Sequence, residues 1–178
     1  MTRPGAARPG AARPGAARPV RAGVVGTGAL GRHHVRILAE LPEAELAGIY
    51  DLRSEVASAL AAEHGTTACG SLDELLDAVE AVVVAVPTVA HREIGCRVLE
   101  RGLHLLVEKP IARDLAEADA LLAAAGDGQV LAVGHVEFYN PAVQALLGLG
   151  EQPRFIDVER LAPFTPRSLD VDVLLDLM

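Results

Sequence analysis

The chain has no tryptophan, only two cysteines, and aromatic residues at just 3% of its length. Any core must therefore be assembled from Ala, Val and Leu, which suits helices packed on a parallel sheet. Cys69 and Cys96 form no CxxC pair and have no His or Cys cluster nearby. They read as reduced, buried thiols; no metal site and no disulfide is expected. No stretch reaches the ~18 apolar residues of a membrane span, so the default expectation is a soluble, cytoplasmic protein. The formal charge of −8 argues against nucleic acid as a partner. Lysine is scarcest of all. Among 16 Lys and Arg residues, Lys109 is the only lysine. Arg keeps its proton in proteins, whereas a Lys ammonium is a compact three-donor group whose pKa moves on burial. A single Lys at the end of an apolar run is thus a candidate for chemistry, although chance in an Arg-rich chain would also produce it.

What is present divides into three parts. Arg-Pro-Gly-Ala-Ala occurs three times from Arg3 to Ala17. Pro and Gly at that spacing forbid helix and strand, so residues 1–19 are expected to form a disordered tail. The tail has no apolar h-region of a signal peptide, and its prolines exclude the amphipathic helix of a transit peptide. Residues 20–150 read as alternating strands and helices. Residues 151–178 read as the incomplete start of a second α/β domain, because Arg154 to Arg160 alternates polar and apolar residues like a sheet with one wet face.

Within the middle part, apolar strands are expected at Val20–Val25, Glu45–Tyr50, Thr66–Cys69, Ala81–Val86, Leu103–Val107 and Val130–Val133. The helix after the first strand carries Leu30, His34, Ile37, Leu38 and Leu41 at helical spacing and stops at Pro42. Other helices run to about His64, with Gly65 as stop, and from Thr88 to Arg101. Ser71-Leu72-Asp73-Glu74 has capping-box form, and Asp114 opens a further capped helix. Asn140-Pro141 supplies an N-cap and an N1 proline. The expected fold is a doubly wound parallel α/β sheet of Rossmann type.

Gly26-Thr27-Gly28-Ala29-Leu30-Gly31 is a GxGxxG turn between strand and helix, and Asp51 lies 20 residues beyond Gly31 at the end of the second strand. That context makes the turn a dinucleotide-binding signature. Gly26 permits the tight turn, Gly28 lets a pyrophosphate approach the backbone, and Gly31 lets the helix pack on the sheet. Asp51 would accept hydrogen bonds from the adenosine ribose and repel a 2′-phosphate. NAD is therefore favoured over NADP, with Arg53 a cation close enough to weaken that preference. Methyltransferases that bind S-adenosylmethionine use a similar turn and acidic strand end, so the turn alone leaves redox chemistry open.

With Pro87-Thr88 and His91 after the fourth run, Glu108-Lys109-Pro110 after the fifth and Gly134-His135 after the sixth, the chain from Val20 to Met178 resembles the Gfo/Idh/MocA oxidoreductases. The resemblance implies an N-terminal Rossmann domain that binds NAD(P) and a C-terminal α/β domain that forms the substrate wall. It implies oxidation or reduction of sugars, polyols or nucleotide sugars, and a homo-oligomeric full-length form. Lys109 would be the catalytic lysine and Glu108 would bind the nicotinamide ribose, with a Lys109–Pro110 bond that is often cis. Pro87, Thr88, His91 and His135 would line the cofactor, although His91 reads equally well as a helix-surface residue and His135 as a loop residue. Where relatives often place Arg-Phe before the Asn-Pro, this chain has Phe138-Tyr139. Asp176 matches a catalytic Asp whose partner His would fall just beyond Met178. On that ground the 178-residue chain is expected to show little turnover, and a non-catalytic dinucleotide-binding module is the alternative reading.

Overall fold

A computed structural model describes residues 18–149 together with Arg154, Phe155, Asp157 and Glu159. The expected tail up to Ala17, the helix from Ser168, Asp176 and most of the polar strand from Arg154 to Arg160 lie outside the described residues.

The chain alternates β1 (Val20–Val25), α1 (Gly31–Glu40), β2 (Ala44–Tyr50), α2 (Ser54–His64), α3 (Leu72–Ala78), β3 (Ala81–Val84), α4 (His91–Glu100), β4 (His104–Val107), α5 (Leu115–Ala124), β5 (Leu131–Val133) and α6 (Pro141–Gly148). The five strands form one parallel sheet in the order β2-β1-β3-β4-β5. This is the doubly wound fold expected from the sequence, with its switch point between β1 and β3.

The continuous apolar runs are explained by two covered faces. Val24 of β1, Ile49 of β2 and Val83 of β3 pack with Val35 of α1 and with Leu60 and Ala61 of α2. Their neighbours Val25, Val82 and Val84 turn the other way, toward Leu75 and Leu76 of α3, Val98 and Leu99 of α4, and Leu121 of α5. The period-2 alternation is intact, but both faces demand apolar residues. No aromatic side chain belongs to the buried core among the described residues.

Helix ends follow local chemistry. Gly65 stops α2 in the left-handed conformation, at φ 65°. Ser71 Oγ accepts from the Glu74 amide at 3.1 Å, while the Glu74 carboxylate reaches the Gly70 amide at 2.6 Å, one residue earlier than a standard capping box. Asp114 caps α5 through the Glu117 amide, and Asn140 caps α6 through the Ala142 amide, with Pro141 in the first turn.

Four expectations are corrected. Thr66–Cys69 is no strand: it makes one parallel bridge, Ala68 with Ile49. Only a few residues separate the Gly65 stop from the Ser71 cap, which leaves room for a single pair. The fourth run leaves the sheet after Val84, two residues early, because β1, its partner, ends at Val25. Thr88–Ala90 is a 3-10 turn, and the α-helix begins only at His91. In α1 the buried residues are Gly31 and Val35, whereas Leu30, Ile37 and Leu41 remain more than 40% exposed. The helix is rotated from the apolar face read in the sequence, because Gly31 must lie on the backbone of the preceding turn.

Gly23 of β1 and Gly48 of β2 leave a shallow hollow that Leu75 fills. A Cβ would stand 2.7 Å from Leu75 Cδ1 at Gly23 and 3.1 Å at Gly48. With glycines beneath it, neither β1 nor β2 supplies a side chain to refill the space left by truncation, and only Val79 and Cys69 border it from the side. Leu75→Ala is therefore expected at the upper end of the range for such changes, about 3–5 kcal/mol. Urea unfolding checks this, and a loss below about 2 kcal/mol would show that the hollow closes.

Candidate dinucleotide site

The C-terminal ends of the parallel strands bring the sequence-predicted residues into one row. In sheet order these are Asp51 after β2, the Gly26–Gly31 turn after β1, Pro87 and Thr88 after β3, Glu108 to Pro110 after β4, and His135 after β5. With strands ~4.8 Å apart, Asp51 and Lys109 are separated by three spacings, roughly 14 Å.

The turn after β1 is tightly built. Gly26 has φ 88°, and a Cβ there would stand 2.4 Å from the Ala85 carbonyl oxygen. A Cβ on Gly31 would stand 1.8 Å from the Gly26 carbonyl oxygen. Protein contacts thus require both glycines. Gly28 differs, because a Cβ there would meet nothing closer than an Arg53 guanidinium nitrogen at 4.0 Å. Its missing side chain leaves space in front of the α1 N-terminus instead. Leu30, the N-cap, makes no side-chain hydrogen bond, and no acid lies in the first turn. The Arg32 and His33 amides already donate to the Gly28 and Leu30 carbonyls at 3.1 and 2.9 Å, so it is the open space and the positive end of the α1 dipole that fit a phosphate anion. A groove of about 530 Å³ runs beside this turn, past Thr27, Gly28, Arg32 and Arg53 and along Val56 and Leu60 of α2. Ala29 and Leu30, the next residues of the turn, are exposed.

Asp51 is held from two sides. The amide and hydroxyl of Thr27 donate to Oδ2 at 2.8 and 2.9 Å. The amide and Nε of Arg53 donate to Oδ1 at 2.9 and 3.2 Å. Burial pushes the Asp51 carboxyl up, but the hydrogen bonds from Arg53 and Thr27 outweigh it and hold the group at about 2. Asp51 is thus a fixed carboxylate at neutral pH. Sequence reasoning foresaw the carboxylate but not Thr27 as its clamp.

At the other end, the Lys109–Pro110 peptide is cis, as the resemblance implied. Lys109 is half-buried, and Pro110 is buried. His91 is only 1% exposed, which rules out the helix-surface reading. Its Nδ1 lies 2.9 Å from the Pro110 carbonyl oxygen and its Nε2 lies 3.0 Å from that of Val86. His91 therefore ties the turn after β4 to the turn after β3. Thr88 is buried, whereas Pro87 and His135 are exposed on the strand-end face.

Sequence reading also missed His34. It had been counted on the apolar stripe of α1, yet its Nε2 lies 2.6 Å from Glu108 Oε1. Burial pushes the Glu108 carboxyl up, but the hydrogen bond and charge of His34, the Lys109 amide and the Lys109 charge together hold it below the usual carboxylate range. No group of three metal-ligating side chains occurs among the described residues.

This arrangement defines a dinucleotide-binding Rossmann domain, and comparison places it more narrowly. Residues 20–135 match the Gfo/Idh/MocA oxidoreductase family, NAD-binding Rossmann fold, and the chain belongs to that family. It is 44% identical over 151 residues to UDP-N-acetylglucosamine 3-dehydrogenase of Acidithiobacillus ferrooxidans, covering 84% of this chain and 48% of the relative. A solved structure of that enzyme superposes with a TM-score of 0.82, over 89% of this chain and 53% of the other. GenD2 from gentamicin A biosynthesis, solved with NAD, is 34% identical with a TM-score of 0.71, over 79% and 42% of the two chains. KijD10, a 3-ketoreductase from Actinomadura kijaniata solved with NADP, is 29% identical with a TM-score of 0.69, over 74% and 43%. The chain spans about half the length of these relatives.

The low value at Asp51 has a definite sign. A depressed carboxyl contributes stability that is complete above its unfolded value, about 4, and is lost as pH falls through about 2. Asp51→Asn should lower the urea midpoint at pH 7, and its deficit should shrink between about pH 4 and about pH 2. A deficit equally large at both ends would mean that Thr27 and Arg53 do not favour the charged form.

Proposed function

We propose that this chain carries the cofactor-binding part of an NAD-dependent dehydrogenase that oxidises a CH–OH group, or reduces the matching ketone, of a sugar, polyol or nucleotide sugar. The observation that carries the proposal is the row of strand ends. It sets a phosphate-accepting helix N-terminus between two fixed carboxylates, with the only lysine of the chain beside the second carboxylate.

In this reading the positive end of α1 and the turn leading into it, with Gly28 leaving the approach open, hold the pyrophosphate. Asp51 accepts from the adenosine ribose and Glu108 from the nicotinamide ribose. Pro87, Thr88 and His135 border the path between them, and His91 holds the turns after β3 and β4 together. Bound there, NAD supplies the two-electron hydride acceptor for the reacting carbon. The Lys109 ammonium donates to the oxygen on that carbon and stabilises negative charge as the C–H bond breaks. Asp176, outside the described residues, completes the proton-handling set in the same reading. The 44% identical relative is named for a nucleotide sugar, which supports testing that substrate class first.

Two outcomes test the reading. NADH should bind this chain more tightly than NADPH, because the Asp51 carboxylate suits free ribose hydroxyls and repels a 2′-phosphate. Asp51→Ala should narrow the difference, and titration showing equal or tighter NADPH binding would reverse the assignment. Lys109→Arg should leave NADH affinity intact yet lower kcat more than tenfold, in a form that includes the further length found in the relatives. Arg keeps the charge but changes donor geometry and cannot release its proton. A smaller drop corresponds to less than ~1.4 kcal/mol of transition-state stabilisation and would make the lysine structural.

A further inference from the structure

Three elements meet at the Glu108 carboxylate. His34, one turn into α1, places Nε2 2.6 Å from Oε1. The Lys109 amide donates to Oε2 at 3.3 Å. On a further side lies the backbone of Gly134, after β5, where a Cβ would stand 2.9 Å from Cδ and from both carboxylate oxygens. The Glu108 side chain is only 12% exposed and that of His34 25%. A glutamate has three rotatable bonds, and the orientation of its carboxylate is ordinarily an entropic expense of ligand binding. Here the orientation is set before any ligand arrives.

We propose that His34 and Gly134 are positioning residues that pre-set the Glu108 carboxylate for the second ribose of a dinucleotide: His34 by a hydrogen bond, Gly134 by presenting backbone where any side chain would intrude. The inference rests on the dinucleotide reading above and adds two residues to it. Glu108 lies two strands, roughly 10 Å, from the phosphate turn, on the side opposite Asp51. A pyrophosphate centred on α1 with one ribose at Asp51 directs the other ribose toward Glu108. An ionised carboxylate is an acceptor-only group, suited to vicinal hydroxyls. His34 stands on the same helix whose N-terminus faces the pyrophosphate, so one rigid element fixes both the phosphate donors and the ribose acceptor.

The test compares ADP, which lacks the second ribose, with ADP-ribose, which has it, by calorimetric titration of the full chain. The affinity ratio between the two isolates the distal ribose. His34→Leu should reduce this ratio by about tenfold, the size expected for one hydrogen bond to a charged group, while ADP affinity stays unchanged. His34→Gln, whose side-chain amide nitrogen reaches a similar distance, should restore most of the ratio. Gly134→Ala should reduce it independently. Gly134 is not among the glycines with positive φ, and the clash falls on the far end of the Glu108 side chain rather than on backbone, so the fold is expected to survive.

An unchanged ratio in His34→Leu and Gly134→Ala overturns the proposal. Equal loss of ADP and ADP-ribose binding also overturns it, because His34 would then merely support the phosphate turn. Failure of His34→Gln to recover would remove the hydrogen bond from the argument. Absence of ADP binding in the unmodified chain would sink the dinucleotide reading itself, and this inference with it.

Discussion

The contact on which the site depends is a backbone approach that admits no side chain. Gly31, the first residue of α1, lies on the carbonyl of Gly26 so closely that a Cβ would sit 1.8 Å from that oxygen. This fixes the rotation of α1 about its axis. Val35 then falls on the sheet, and Leu30 and Ile37 turn outward. His34 is carried over the end of β4 within reach of Glu108. The same contact aims the N-terminus of α1 across the open space at Gly28. A larger residue at position 31 would lift the helix and disturb the α1 N-terminus and the His34–Glu108 contact together.

Charge along the row of strand ends alternates. A carboxylate stands after β2, the positive end of a helix dipole after β1, and a second carboxylate after β4. Burial pushes both carboxyls up, and donors specific to each outweigh it. Arg53 and Thr27 do so for Asp51; His34 and the Lys109 backbone do so for Glu108. An anion between two hydroxyl-rich groups is the complementary ligand. In the proposed reading, the order of these groups matches the order of the parts of a dinucleotide.

Much of this was legible in the sequence because it is local. The GxGxxG turn, the acid 20 residues on, the Glu-Lys-Pro triplet and the capping residues each act within a few positions of themselves. Apolar runs marked every strand that two covered faces require. The rest depended on contacts without local period. His34 and Glu108 are 74 residues apart in sequence, and nothing in the helical spacing of His34 separates a polar partner from an apolar stripe. His91 reads equally as a cofactor-lining or a helix-surface residue until the turns after β3 and β4 close over it. The phase of α1 was available in principle, because Gly31 must face the preceding turn, but the apolar stripe placed Leu30, Ile37 and Leu41 inward beside Leu38, and only Leu38 of these packs on the core.

The linear layout has a consequence for how such a domain changes over evolutionary time. The groups that would recognise the adenosine ribose hang on the loop after β2, and the lysine hangs on the loop after β4, with two further strands between them. Substitutions more than 7–10 Å apart without shared partners usually combine additively. A lineage can therefore rewrite the residues around Asp51 and Arg53 without retuning Lys109. The solved neighbours that hold NAD in one case and NADP in another, on the same fold, are what such independence would leave behind.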